Sequence, residues 1–441
     1  MLNPSELSTL ARSVLAGDQT PDAIIERLTR ALGRPWRWLA PLATRYVRAF
    51  TGHTRARHRG VVRFLIRDRG LQRAATKYRD DLSIAHWPVE SQPMQPVAAA
   101  AGWDLPIIET VADLANWLWL DYRELDWFAD LKALGYKSER GRLRHYHYRI
   151  LPKSGRTVRL IEAPKQRLKR IQREILSGIL EHVPPHSAAH GFVKGRSIRT
   201  FIACHTARRV VLRMDLRNFF PGLGLARIQT IFRTLGYPEP VADLLGGLCT
   251  NSVPLDVWEA NSLDISCQEL HETRALYARR HLPQGAPTSP ALANICAYRL
   301  DCRLTGLARS AEAHYTRYAD DLAFSGDRSF EKVVERFSTS VAAILLEEGF
   351  EPNYRKTRIM RQGVRQNLAG LVANERPNIV RADFDCLKAT LANCARYGPE
   401  SQNRTAHPAF RSHLEGKIAF VAMINPGKAE RLRRTFDRIQ W

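Results

Sequence analysis

Apolar residues recur at helical spacing through the first 80 residues of this 441-residue chain. Thr20-Pro21 supplies an N-cap and a first-turn proline, Ile24, Ile25, Leu28 and Leu32 follow at helical intervals, and Gly33 stops the run. Residues 81–109, with four prolines, four consecutive alanines and scattered polar positions, read as a linker. Helical spacing returns at Thr110, with Val111, Leu114, Leu118 and Leu120, and continues through Leu125 and Trp127. The period then changes. Residues 146–151 and 156–161 alternate around Lys153-Ser154-Gly155, which predicts a β-hairpin. A basic helix over 165–173 turns Leu168, Ile171 and Ile175 inward. Residues 210–214, apolar but for Arg213, read as a buried strand, and 225–235 is a helix.

Residues 251–280 carry no clear period and read as an insertion or loop. In 282–290, Ser289 and Pro290 look like the N-cap and first residue of a helix reaching about residue 307. Two short apolar runs, 314–317 and 322–325, flank Tyr318-Ala319-Asp320-Asp321 and predict a hairpin with two carboxylates at its tip. Residues 330–349 form an amphipathic helix with Val333, Val334, Phe337, Val341 and Ile344 inward, and 381–441 is expected to be helical.

Charge narrows the partner. A formal net charge of +23 points to a polyanion, nucleic acid before membrane, while 44% apolar residues and nine tryptophans exceed what a ribosomal or histone-like protein needs. The base is concentrated between Arg45 and Arg79, Arg55, Arg57, Arg59 and Arg63 among it, with Phe64, Ile66 and Leu71 interleaved. That pattern suits an amphipathic helical surface. A solvated basic face is the plain alternative, and the overall charge favours an RNA-binding one. The seven cysteines form no C-x-x-C pair, so buried reduced thiols are expected. No apolar run approaches a membrane span and the N-terminus lacks a basic-then-apolar signal, so the cytoplasm is the expected compartment.

Adjacent aspartates repel, and holding them together is costly unless a cation lies between them. An isolated Asp-Asp is most often a solvated turn. Here a third carboxylate, Asp215, ends the buried run 210–214 upstream. One aspartate delivered by a buried strand beside an Asp-Asp hairpin suits nucleotidyl transfer. In that chemistry two Mg²⁺ ions roughly 4 Å apart activate a 3′-hydroxyl and steady the leaving pyrophosphate. Mg²⁺ prefers hard oxygen ligands such as these.

At these residues the chain resembles the bacterial reverse transcriptases, most closely the retron type. The matching segments run in order: Ala189-His190-Gly191-Phe192 through Ser197-Ile198, then 214–221, 282–290, 315–321, 353–357 and 366–372. The resemblance covers about residue 146 to the C-terminus. It implies an α/β right-hand polymerase with fingers, palm and thumb behind a helical N-terminal extension. It also implies metal ligation by Asp215, Asp320 and Asp321, with Leu216 beside the first. Lys153, Arg156 and Arg159 of the early hairpin would grip the nucleotide phosphates, where a planar guanidinium binds bidentately. Phe220 would pack under the sugar and exclude a 2′-hydroxyl. Gln284 would bond base or sugar, Gly285 would permit close backbone approach, and Lys356 would place a cation near the triphosphate. His205 is expected to be structural or RNA-contacting, and Lys388, Lys417 and Arg433 to meet the duplex backbone. Two retron signatures are only partly kept: Phe201-Ile202-Ala203-Cys204-His205 retains the histidine, and Leu368-Ala369-Gly370 the glycine.

The expected organisation is a basic helical extension (1–80), linker (81–109), helical lead-in and fingers (110–209), palm with part of the fingers (210–374) and thumb (375–441). The expected activity is RNA-directed DNA synthesis with two Mg²⁺ ions. Its partners would be an RNA template, RNA–DNA duplex and deoxynucleoside triphosphates, and no membrane. The resemblance adds a cognate non-coding RNA and an effector protein in antiphage defence. The rivals are a template-independent or protein-primed polymerase and an RNA-binding scaffold with a vestigial palm. Three converging carboxylates argue against the scaffold.

Overall fold

The computed structural model describes residues 2–50, 56–79, 81–87, 92–137, 144–153, 157–259 and 266–441. The chain divides into two compact units, Met1–Val183 with Phe220–Leu292, and Pro184–Phe219 with Ala293–Trp441.

The first unit opens with helices Pro4–Leu15, Pro21–Ala31, Leu39–Phe50, His58–Arg67 and Arg69–Lys77. Their start signals are those of the sequence: Asn3 and Glu6 form a capping box, and the Thr20 hydroxyl accepts from Ala23 N. Leu10, Ile24, Leu28, Leu42, Tyr46 and Leu65 build their shared core. Arg45, expected in the basic surface, instead grips buried Asp68 through Nε and Nη2 at 2.7 and 2.8 Å. Asp68 is also the N-cap of Arg69–Lys77. The described part of the linker stretch is packed, with Gln95 N and Val97 N bonded to the Gly236 and Thr234 carbonyls.

The single helical run after Thr110 is two helices, Val111–Trp117 and Tyr122–Ala129, because Asp121 caps the second with its own capping box. Strands β1 (Tyr146–Lys153) and β2 (Thr157–Pro164) form the expected antiparallel hairpin. The described parts of 251–280, read as a patternless insertion, supply its floor. Trp258 of helix Asp256–Glu259 and Tyr277 of helix Cys267–Ala278 are buried in one cluster with Leu160 of β2. Two short pieces each contribute one large aromatic, so no period forms.

In the second unit, β3 (Val210–Arg217), β4 (His314–Tyr318), β5 (Asp321–Gly326) and β6 (Glu351–Pro352) order as β4-β5-β3-β6, and β7 (Arg358–Arg361) also pairs with β3. Helix Arg328–Glu347 buries Phe330, Val334, Phe337, Val341 and Leu345. Val333, expected inward, is 41% exposed, since the stripe spaced four, three, four and four residues apart passes one position beyond it. A small ribbon of β8 (Asn367–Leu368), β9 (Leu371–Val372) and β10 (Asn378–Ile379) follows. Helices Arg381–Tyr397, Phe410–Ile424 and Pro426–Phe436 close the unit around Leu391, Leu414, Ile418 and Leu432. The single helix expected after Ser289 is two, Ser289–Cys296 and Tyr298–Ser310. The Ser289 hydroxyl donates to the Pro283 carbonyl, tying down the preceding loop. All seven cysteines are free as expected, but Cys267, Cys302 and Cys386 are exposed rather than buried. No described helix is long and apolar enough to cross a membrane.

Candidate active site

Strand β3 is buried along almost its whole length, and antiparallel register sets Asp215 directly opposite Asp321 of β5. Between β4 and β5 only Ala319 and Asp320 remain, and Ala319 takes the left-handed conformation, φ 54°. That tight turn puts the third carboxylate beside the other two. Leu216 N donates to the Asp320 carbonyl at 2.9 Å, locking the turn to β3. Asp215 is almost wholly buried and doubly held: Asn353 Nδ2 and Lys356 Nζ donate to its two oxygens, each at 2.8 Å. Asp321 Oδ1 accepts from Arg213 Nε and Nη2 at 2.9 and 2.7 Å. Burial, then the neighbouring charges of Asp215 and Asp321, pushes the Asp320 carboxyl above the ordinary range. Burial pushes Asp321 up as well, against the pull of Arg213.

The turn is held from behind by residues that local sequence patterns do not mark. Arg317, fully buried in β4, forms a bidentate pair with fully buried Asp301 at 2.8 and 2.6 Å. Its Nη1 donates to Asn294 Oδ1 and to the Ala319 carbonyl inside the turn. Tyr315 OH donates to the same Asp301 carboxylate. Residues 188–191 run along β4, with His190 N bonded to the Arg317 carbonyl and Arg317 N to the Ala188 carbonyl. A Cβ on Gly191 would lie 2.5 Å from Ala319 N, so only glycine lets this segment reach the turn.

His205 is corrected to a purely structural residue. It is fully buried, its ring nitrogens lie 2.7 Å from the Ser325 and Thr316 hydroxyls, and burial pushes its pKa down to about 3. A side chain closed off in this way does not reach RNA. Lys356 pairs with Asp215 and remains partly exposed. Lys388, Lys417 and Arg433 lie exposed on the C-terminal helices.

In the first unit Arg159 is exposed on β2, Phe220 is half-buried and Gln284 is half-exposed. Gly285 has φ 135°, and its close approach is to protein: a Cβ there would lie 2.9 Å from the Glu162 carbonyl. Arg57, Arg59 and Arg63 are exposed on or beside helix His58–Arg67. Arg55 and Arg156 lie outside the described residues, as does the side chain of Lys153.

The family model described as reverse transcriptase (RNA-dependent DNA polymerase) matches residues 151–381, just over half the chain, and the chain belongs to that family. Its relatives narrow the type. The retron Mx65 reverse transcriptase of Myxococcus xanthus is 41% identical over 337 residues, covering 76% of this chain and 73% of the relative. The retron Mx162 enzyme of the same organism is 34% identical over 335 residues, 73% of this chain and 65% of the relative. The retron Ec86 enzyme of Escherichia coli is 29% identical over 300 residues, 67% and 82% of the two chains. This is a bacterial retron-type reverse transcriptase, an RNA-directed DNA polymerase.

Proposed function

We propose that the chain copies a structured cognate RNA into DNA by two-metal nucleotidyl transfer, in a retron acting in antiphage defence with an effector protein. The observation that carries the chemistry is the pairing of Asp215 with Asp321 across β3 and β5, with Asp320 in the turn between β4 and β5. In hand terms, 110–209 is assigned to lead-in and fingers, 210–374 to palm and 375–441 to thumb, behind the 1–80 extension and the 81–109 linker.

The donor set fits hard divalent cations: three carboxylates within one turn and one register pair, two of them already facing cationic side chains. No group of three His, Cys, Asp or Glu side chains among the described residues forms a ready-made cage. Lys356 and Arg213 hold the oxygens that ions would take. Two Mg²⁺ ions on Asp215, Asp320, Asp321 and Leu216 would activate the primer hydroxyl and neutralise the departing pyrophosphate. Asn353 orients Asp215, and Lys356, once released, is a cation for the triphosphate. Arg159, with Lys153 and Arg156, is assigned to the nucleotide phosphates, Gln284 and Gly285 to base or sugar, and Phe220 to the sugar face.

Template contact is assigned to Arg55, Arg57, Arg59 and Arg63 and to Lys388, Lys417 and Arg433. Support for the first group is a cleft of about 1370 Å³ lined by Arg57, Arg59, Arg63, Arg67, Phe50 and Phe64, with the carboxylates Glu239 and Asp243 also on its wall and Asp243 paired with Arg233. Aromatic and basic side chains sharing one groove suit single-stranded nucleic acid.

Protein purified from its native locus should carry one discrete RNA and one short DNA joined to it, recovered by denaturing electrophoresis and sequencing. A heterogeneous mixture of cellular cDNAs would overturn the retron reading, and long DNA made without template would favour untemplated synthesis. Phe220→Ala should raise ribonucleotide relative to deoxyribonucleotide incorporation by on the order of tenfold or more. An unchanged ratio in single-nucleotide addition assays would make Phe220 simple packing.

A further inference from the structure

Glu162 and His281 are a fully buried acid–base pair 119 positions apart in the chain, with His281 Nε2 3.0 Å from Glu162 Oε2. The other ring nitrogen lies 2.7 Å from the Arg279 carbonyl. Both ring nitrogens thus lie within hydrogen-bond reach of an oxygen, which fixes the ring in place from two sides. The second carboxylate oxygen accepts from Asn251 Nδ2 at 2.8 Å, and Asn251 in turn reaches Tyr148 OH. Asn251 and His281 also exchange both backbone hydrogen bonds, each 2.9 Å. Burying polar side chains this deeply is expensive, and such a pair is weak grounds for stability alone. Its position suggests a different use.

Glu162 holds the 282–290 loop twice. Its side chain fixes His281 just before the loop, and its backbone N donates to the Gln284 carbonyl at 2.9 Å. The Gly285 backbone then crosses so close to the Glu162 carbonyl that no Cβ fits. Leu282 N bonds the Leu223 carbonyl, and Leu223 N bonds the Phe220 carbonyl, carrying the same frame to the Phe220 turn. Arg159 stands three residues earlier on the same strand, β2. The neighbouring Arg280 anchors the approach to the loop, its guanidinium donating to the carbonyls of Ala129, Asp130, Gly247 and Thr250.

We propose that Glu162 and His281 are positioning residues for deoxynucleotide binding: their buried pair sets where Gln284, Phe220 and Arg159 stand. Neither touches substrate. Because outward groups on three segments share this one anchor, loosening it displaces them together. A displacement near 1 Å at a binding group can cost up to about a hundredfold. The proposal rests on the assignment of Gln284 to the nucleotide.

The test is single-nucleotide addition by the full chain on a preformed RNA–DNA duplex with Mg²⁺, read as KM for the nucleotide, kcat and burst amplitude. Glu162→Gln and His281→Asn should each raise KM by roughly ten- to a hundredfold. Asn251→Ala, which removes one bond to the carboxylate, should raise it less. The double variant of Glu162 and His281 should be no worse than the more affected single one. A pair serving stability alone would lower the unfolding midpoint and the burst amplitude together and leave KM unchanged, and that result overturns the proposal. If neither substitution of the pair folds, Asn251→Ala decides by the same KM criterion. Gln284→Ala separates the two levels. A raised KM there with none in the folded pair variants overturns the positioning role alone. No change in Gln284→Ala overturns the nucleotide assignment and the proposal with it.

Discussion

Asp320→Asn should slow RNA-templated nucleotide addition by on the order of a thousandfold while leaving RNA affinity within about twofold of the parent. The substitution keeps the shape of the turn and removes one negative charge from the place where that charge is needed. With template contact assigned to Lys and Arg on phosphate, Asp320 has no part in the proposed RNA affinity. The crowded carboxyl of Asp320 is already pushed up by burial and by Asp215 and Asp321. Removing it relieves repulsion, so the metal-free variant should unfold at a temperature no lower than the parent. Rapid-quench addition on an RNA–DNA duplex, filter binding at fixed salt and a thermal melt measure the three quantities. Addition within about tenfold of the parent would sink the assignment of Asp320 to the metals. A fall in stability as large as the fall in rate would show the turn, not the charge, to be what was lost.

The three carboxylates proposed to hold the metals were legible because each belongs to a local pattern. An apolar run ending in Asp215 and two short runs around Asp320-Asp321 are strand signals, and the register of β3 with β5 brings their ends together. The early hairpin and the helix caps at Asn3, Thr20 and Asp121 are equally local. What escaped was long-range pairing. Arg317 lies in a strand and Asp301 on helix Tyr298–Ser310, and each by itself reads as an ordinary surface charge. Glu162 and His281 are farther apart still, and neither resembles a site until the other is beside it. His205 misled for the same reason, since the two hydroxyls that close it off come from β4 and β5. Residues 251–280 escaped because a pair of isolated aromatics has no period, although Trp258 and Tyr277 are core.

Arg317→Met should destabilise the protein by about 3–5 kcal/mol, because it leaves the Asp301 carboxylate buried beside Tyr315 without its cation. In a unit of this size that corresponds to a thermal midpoint lower by roughly 10 °C. Extension should fall further than stability accounts for at a temperature where the variant is still folded. The reason is that Arg317 Nη1 also donates to the Ala319 carbonyl, within the turn that presents Asp320. Pairing the change with Asp301→Leu separates the effects. Replacing a buried ion pair by apolar side chains of similar volume is often neutral or better, so the double variant should regain most of the lost midpoint. It restores no donor to Ala319, so extension per folded molecule should stay low. A single variant as stable as the parent would mean that the pair contributes nothing to the fold. A double variant that recovers extension along with stability would mean that Arg317 serves packing alone and that the turn holds itself.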